Sequence, residues 1–104
     1  MLKIVVFIPK EFCEKVKEAM FKAGAGKFKN YDNCSFEIEG TGQFRPLKNS
    51  NPHLGRINSL ERVTEMRVEM ICSNECIKDV ISAMKSAHPY EEVAYDVISL
   101  FEVN

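Results

Sequence analysis

The sequence predicts an α+β fold, with one four-stranded antiparallel sheet and two helices packed on one of its faces. Three observations carry this. Two segments repeat apolar residues at helical spacing, and each follows a strand-like run. Between the two helical segments lie two stretches with period-two alternation. The resulting order is β-α-β-β-α-β, and with right-handed crossovers it gives the ferredoxin-like sandwich.

Residues 2–8, LKIVVFI, form a continuous β-branched and aromatic run, the pattern of a strand buried on both faces. Pro9 closes it. From Lys10 to Ala23, the residues Phe12, Val16, Ala19, Met20 and Ala23 share one helical face, and Gly24 and Gly26 stop the helix. Cys34, Phe36 and Ile38 then alternate with Ser35, Glu37 and Glu39, predicting a half-buried strand whose glutamates face water. The segment 40–59, GTGQFRPLKNSNPHLGRINS, has no sustained period and reads as a long loop. Within it, Gly40 and Gly42 are expected to let the chain leave the strand through positive-φ geometry.

Alternation returns from Leu60 to Cys72. Met66, Val68, Met70 and Cys72 face one way, and Glu61, Glu65, Arg67 and Glu69 the other. Ser73 reads as an N-cap with Glu75 in the first turn. Ile77, Val80, Ile81, Met84 and Ala87 make the second helix, which Pro89 ends. The last strand, about 93–101, is apolar on both sides. Two helices cover only one sheet face, yet the first and last strands are apolar on both, so the leftover face calls for burial against another copy of the chain.

A length of 104 residues suits a single domain spanning 1–104. A net charge of −1 gives no global attraction to nucleic acid or to acidic membranes. The lysines between Lys10 and Lys29 are interleaved with Glu11, Glu14 and Glu18, as on a solvated helix face, so no nucleic-acid partner is expected. No apolar run reaches the ~20 residues of a membrane span, and the N-terminus lacks the features of a signal peptide. The expected setting is cytoplasmic. Cys13, Cys34, Cys72 and Cys76 form no CxxC pair and read as free thiols.

Candidate sites are few. GTGQF lacks the GK[ST] of a phosphate loop and the third glycine of a dinucleotide fingerprint. Arg45 and Arg56 have the guanidinium chemistry for an anion. His53 reads as a solvated loop residue. The densest stretch is SAHPYEEVAYDV, residues 86–97. His88 falls at a helix C-terminus, where the dipole and free carbonyls favour a cation. Alternatively His88, with Glu91, Glu92 and Glu61, supplies metal ligands or an acid/base pair. One histidine is too few for a self-contained catalytic zinc site, so a metal would have to be shared between subunits. No catalytic residues are assigned, and no cofactor is required by these residues.

Six blocks occur together and in order: IPKEF, AMFKAGAGKFKNYDNCSF, GTGQFRP, NPHLG, LERVTEMRVEMIC and SAHPYEEVAYDV. With them the chain resembles the accessory domain of the YqfO-like, Nif-three-like family of dinuclear metal proteins. It also looks like the CutA and PII proteins, which share the ferredoxin-like fold, assemble as trimers and, in CutA, carry an HPYE-type stretch. The resemblance implies a homo-oligomer, with a trimer favoured. Ligand-binding or interface positions would be Gly40, Gly42, Phe44, Arg45, Pro46, Tyr90 and Glu92, and His88, Glu91 and Glu61 would be the metal candidates. The family's two-metal site belongs to a different domain, so none of its ligands is carried onto this chain. The implied role is a small, non-enzymatic oligomeric binding or regulatory module for a protein partner, a small molecule or an ion; the alternative is a metal-ion-binding protein or metal-dependent enzyme with a site shared between subunits around His88, Glu91 and Glu92. Asn49 and Asn58 stand where the family commonly has glycine, and asparagine tolerates left-handed backbone.

Overall fold

The computed structural model describes residues 1–103. Its elements are β1 (Leu2–Pro9), a 3-10 turn (Lys10–Phe12), α1 (Cys13–Lys22), β2 (Phe36–Phe44), β3 (Glu61–Cys72), α2 (Ile77–Ala87) and β4 (Tyr95–Ser99). The strands form one sheet in the order β2-β3-β1-β4, and every neighbouring pair is antiparallel. This is the predicted β-α-β-β-α-β sandwich.

The core lies between the sheet and the helices. Ile4, Val6 and Ile8 of β1 sit opposite Met70, Val68 and Met66 of β3. Val16 and Met20 of α1 and Val80 and Met84 of α2 close over them, all four fully buried. Each such side chain contributes about 1.5–3 kcal/mol by leaving water. β1 is also buried on its other face at Val5, which is 1% exposed, as its unbroken apolar run predicts.

The end of α1 follows from its glycines. Gly24 adopts φ 115° and Gly26 φ 77°. The Ala25 N–H donates to the Met20 carbonyl (3.1 Å) and the Gly24 N–H to that of Phe21 (3.0 Å), the two bonds of a Schellman motif.

Four expectations need correction. First, GTGQF is not loop. Gly40–Phe44 is the second half of β2, paired with Glu65 back to Glu61, and the irregular segment begins at Arg45. Neither Gly40 nor Gly42 has positive φ. The glycines hid the strand because they contribute nothing to an alternation pattern.

Second, the phase of β2 is inverted. Phe36 and Ile38 point to the open face and are 63% and 52% exposed. Glu37 lies on the helix side, where Lys17 of α1 donates to it at 2.7 Å. β2 is an edge strand, so its inner face meets the rim of α1, where a long cation can reach a carboxylate.

Third, α2 starts at Ile77 rather than after Ser73, because residues 74–76 form a turn closed by Cys76 N–H on the Ser73 carbonyl (3.3 Å). Fourth, β4 is shorter than expected. It spans Tyr95–Ser99, which leaves Phe101 outside it and 92% exposed. The second helix ends as Pro89 requires, with His88 extended at φ −77° and ψ 138°.

Candidate ligand site

The residues that carry chemistry meet at the end of the sheet where β1 finishes, β2 ends and α2 hands over to β4. His88 is the anchor. Its side chain turns inward and is 6% exposed. Nε2 lies 2.8 Å from the Phe7 carbonyl, and the Tyr90 N–H donates to Nδ1 at 3.1 Å. A carbonyl at one nitrogen and an amide N–H at the other define the neutral tautomer protonated on Nε2. Burial lowers the pKa below the usual 6.5, against the opposing pull of the Phe7 carbonyl and of Glu65. His88 is therefore an inward link from α2 to β1, not the cation expected at the helix terminus. In this arrangement both ring nitrogens already serve the backbone.

Tyr90 inherits its position from that link. Its ring centroid lies 5.0 Å from His88, 5.9 Å from Phe44 and 6.3 Å from His53. His53 is exposed, as expected of a loop residue, and its ring also lies edge-on to Phe12 at 5.6 Å. The Tyr90 hydroxyl is buried and has no hydrogen-bond partner. Burial raises its pKa well above the ordinary phenol value, and Glu65 and then Glu11 add to the rise. Glu65 is near enough to act on the hydroxyl, but the pair does not close a hydrogen bond of good geometry.

The 45–60 loop lies over this cluster, tied to the HPYEE segment by one bond and braced internally by two. The Asn51 N–H donates to Glu91 Oε1 at 3.0 Å. The Asn58 N–H donates to the carbonyl of buried Pro46. The Ser50 hydroxyl donates to the Leu47 carbonyl at 2.7 Å. Asn49 (φ 77°) and Asn58 (φ 63°) take the left-handed geometry expected of them, beside Gly55 (φ 94°). Loop and sheet frame a half-open cavity of about 440 Å³. Phe7, Phe44, Pro46, Leu47, Pro52 and Leu54 give it apolar walls, and Arg45, Glu65, Glu91 and Glu92 bring charge.

The positions expected from sequence therefore divide. Phe44, Arg45, Pro46, Tyr90, Glu91 and Glu92 share this cavity. Gly40 and Gly42 line a neighbouring depression of about 340 Å³, which shares Phe7 and Glu65 with the first. His88 stands behind Tyr90. Glu61 supports Gly55 instead, where an added Cβ would lie 2.6 Å from the Glu61 Cγ. Sequence reasoning missed Glu65. The signal was Gly42, since a Cβ there would collide with the Glu65 carboxylate, so the glycine is what lets Glu65 lie across β2.

A second polar group lies elsewhere. Among the described residues, Cys13, Glu14 and Glu37 bring three metal-type ligand atoms within 4.8 Å of one another. The Lys17 ammonium already occupies that group, at 2.9 Å from Glu14 and 2.7 Å from Glu37. Burial, and after it the Glu37 charge, push the Cys13 thiol up to about 11, so it stays protonated. This is an ion pair beside a thiol. All four cysteines are free. Among the described residues, no helix is long and apolar enough to cross a membrane.

No protein-family model matches the chain. It is 45% identical over 95 residues to a GTP cyclohydrolase 1 type 2 homolog of Bacillus subtilis, covering 91% of this chain and 26% of that protein. A namesake from Mycobacterium tuberculosis is 42% identical over 98 residues, covering 94% and 26%. The chain thus spans about a quarter of the length of these curated relatives. Among solved structures, a Bacillus cereus protein related to NIF3 superposes with a TM-score of 0.83 at 46% identity, covering 97% of this chain and 26% of that one. CutA of Pyrococcus horikoshii superposes with a TM-score of 0.71 at 18% identity, covering 100% and 88%, a likeness of fold alone. This chain is thus homologous to a segment about one quarter the length of NIF3-related GTP cyclohydrolase 1 type 2 homologs, and that segment has a CutA-like fold.

Proposed function

We propose that the chain is a small, non-enzymatic binding or regulatory module that works as a homo-oligomer in the cytoplasm. Its ligand site is the cavity between the 45–60 loop and the His88–Glu92 segment. The observation that carries this reading is the cavity itself. Its apolar, aromatic walls converge on a buried phenol, and its volume of about 440 Å³ falls in the usual range for small-molecule sites, roughly 300–1,000 Å³. The cyclohydrolase name belongs to relatives of which this chain matches about a quarter, and the module's share of their work is read here as recognition.

Oligomerisation draws support from the open sheet face, where Phe36, Ile38 and Ile98 are 63%, 52% and 46% exposed. A second copy is the natural cover, and the resemblance to CutA and PII proteins favours a trimer. An absolute mass in solution tests this, and a monomer across the micromolar range overturns it. A thermal-shift panel of small molecules tests the binding role, since a ligand held by the folded state raises Tm by mass action. Phe44→Ala should abolish any shift that originates in the cavity.

A divalent ion shared between subunits is the second reading. It is favoured by Glu91 and Glu92, both exposed at the cavity rim. Co-purified metal that disappears in Glu91→Gln with Glu92→Gln supports it. Metal content unchanged by those substitutions rules it out.

A further inference from the structure

The cavity is chemically lopsided. Three carboxylates, Glu65, Glu91 and Glu92, face one guanidinium, Arg45. The rings of Phe7, Phe44, Tyr90 and His53 line the same cavity. The buried Tyr90 oxygen has no partner. Gly42 leaves the space that Glu65 needs to reach over the strand.

Each feature selects against one class of ligand. An anion would meet three negative charges. A neutral apolar molecule would leave the carboxylates and the phenol unused. A divalent metal needs several oxygen ligands gathered at bonding distance, and among the described residues the cavity's carboxylates form no such group. One of them, Glu91, is already tied to the Asn51 N–H. A cation with an apolar body uses every part of the site. Ring faces attract positive charge through their quadrupoles, the carboxylates neutralise it, and the phenol oxygen accepts an ammonium N–H.

We propose that this cavity binds a small organic cation, a protonated amine carried on an aromatic or aliphatic body. The proposal rests on reading the cavity as the ligand site. Phenethylamine, phenethyl alcohol and phenylacetate make a matched probe set of cation, neutral and anion, each titrated into the full chain and followed by NMR shifts of Tyr90 and Phe44. The amine should bind about tenfold or more tightly than the alcohol, with the acid weakest. Glu65→Gln with Glu92→Gln should remove most of that preference by weakening the amine much more than the alcohol, and Phe44→Ala should weaken amine and alcohol together. If the alcohol matches the amine, the preference for a cation is overturned and the cavity survives as the ligand site. If the acid binds best, Arg45 governs and the proposal is overturned in favour of an anion. If no probe moves either resonance, both readings fall.

Discussion

The two faces of the sheet are built from the same strands but follow different rules. On the helix side, Ile4, Val6, Ile8, Val68, Val80 and Met84 are wholly buried and carry no polar atom in their side chains. On the open side, Phe36 and Ile38 are exposed, and charges stand among them. Lys3 pairs with Glu69 at 3.5 Å, and the Arg67 guanidinium lies 5.8 Å from the Phe7 ring. The covered face stabilises the fold through area removed from water. The open face and its loop-capped end retain groups whose partners are missing or incomplete, and unused recognition chemistry collects there. His88 and Tyr90 show the contrast within three residues. The histidine has both nitrogens engaged, whereas the tyrosine hydroxyl has no partner.

The comparison can be broken or sharpened by substitution. The largest effect is expected on the covered face, where Met84→Ala should cost about 2–5 kcal/mol in chemical denaturation, because neighbouring helices cannot collapse into the space. His88→Ala should cost a comparable amount. It strands the Phe7 carbonyl and the Tyr90 N–H, at about 1–3 kcal/mol for each buried group left unpaired. It should also loosen the cavity wall, visible as altered Tyr90 NMR shifts.

His88 also sets a pH dependence. Its folded pKa lies below the ordinary 6.5, so as pH falls the unfolded chain takes up the proton first. Stability is full above about pH 6.5 and is lost as pH drops toward the folded value. His88→Asn should flatten that slope, and a slope unchanged in the variant would assign the dependence to other groups.

Gly24→Ala should cost about 1–2 kcal/mol, since it forces a side chain into left-handed backbone and sets a Cβ 2.8 Å from the Cys76 Sγ. The smallest effect belongs to the open face. Phe36→Ser should change the stability of a single chain by no more than about 0.5 kcal/mol, as at other exposed positions. If the open face is an interface between copies, the same substitution should nevertheless lower the mass in solution. A large loss of stability without a change of mass would show that Phe36 supports the fold itself.

Much of the fold was legible in the sequence. The unbroken run of β1, the period of α1 and α2, the inward Met66–Cys72 alternation and the stops at Gly24 and Pro89 each report local geometry. The second strand was misread because two signals cancelled. Its glycines carried no pattern, and its apolar residues face outward. In the candidate site, HPYEE was singled out for its dense side-chain chemistry and Phe44–Pro46 through the family resemblance, whereas Glu65 was passed over because it is one of several outward carboxylates on β3.

What the sequence by itself determined is the order and type of the elements and the inward set of β3, because periodicity is a local consequence of backbone geometry. It also determined that the asparagines at 49 and 58 can turn the chain. Which face of β2 turns inward, which nitrogen of His88 carries the proton and which carboxylates share a cavity were decided only by tertiary structure. Those outcomes depend on groups far apart in the chain, Lys17 with Glu37, Phe7 with His88 and Asn51 with Glu91, and their meeting is set by packing rather than by spacing.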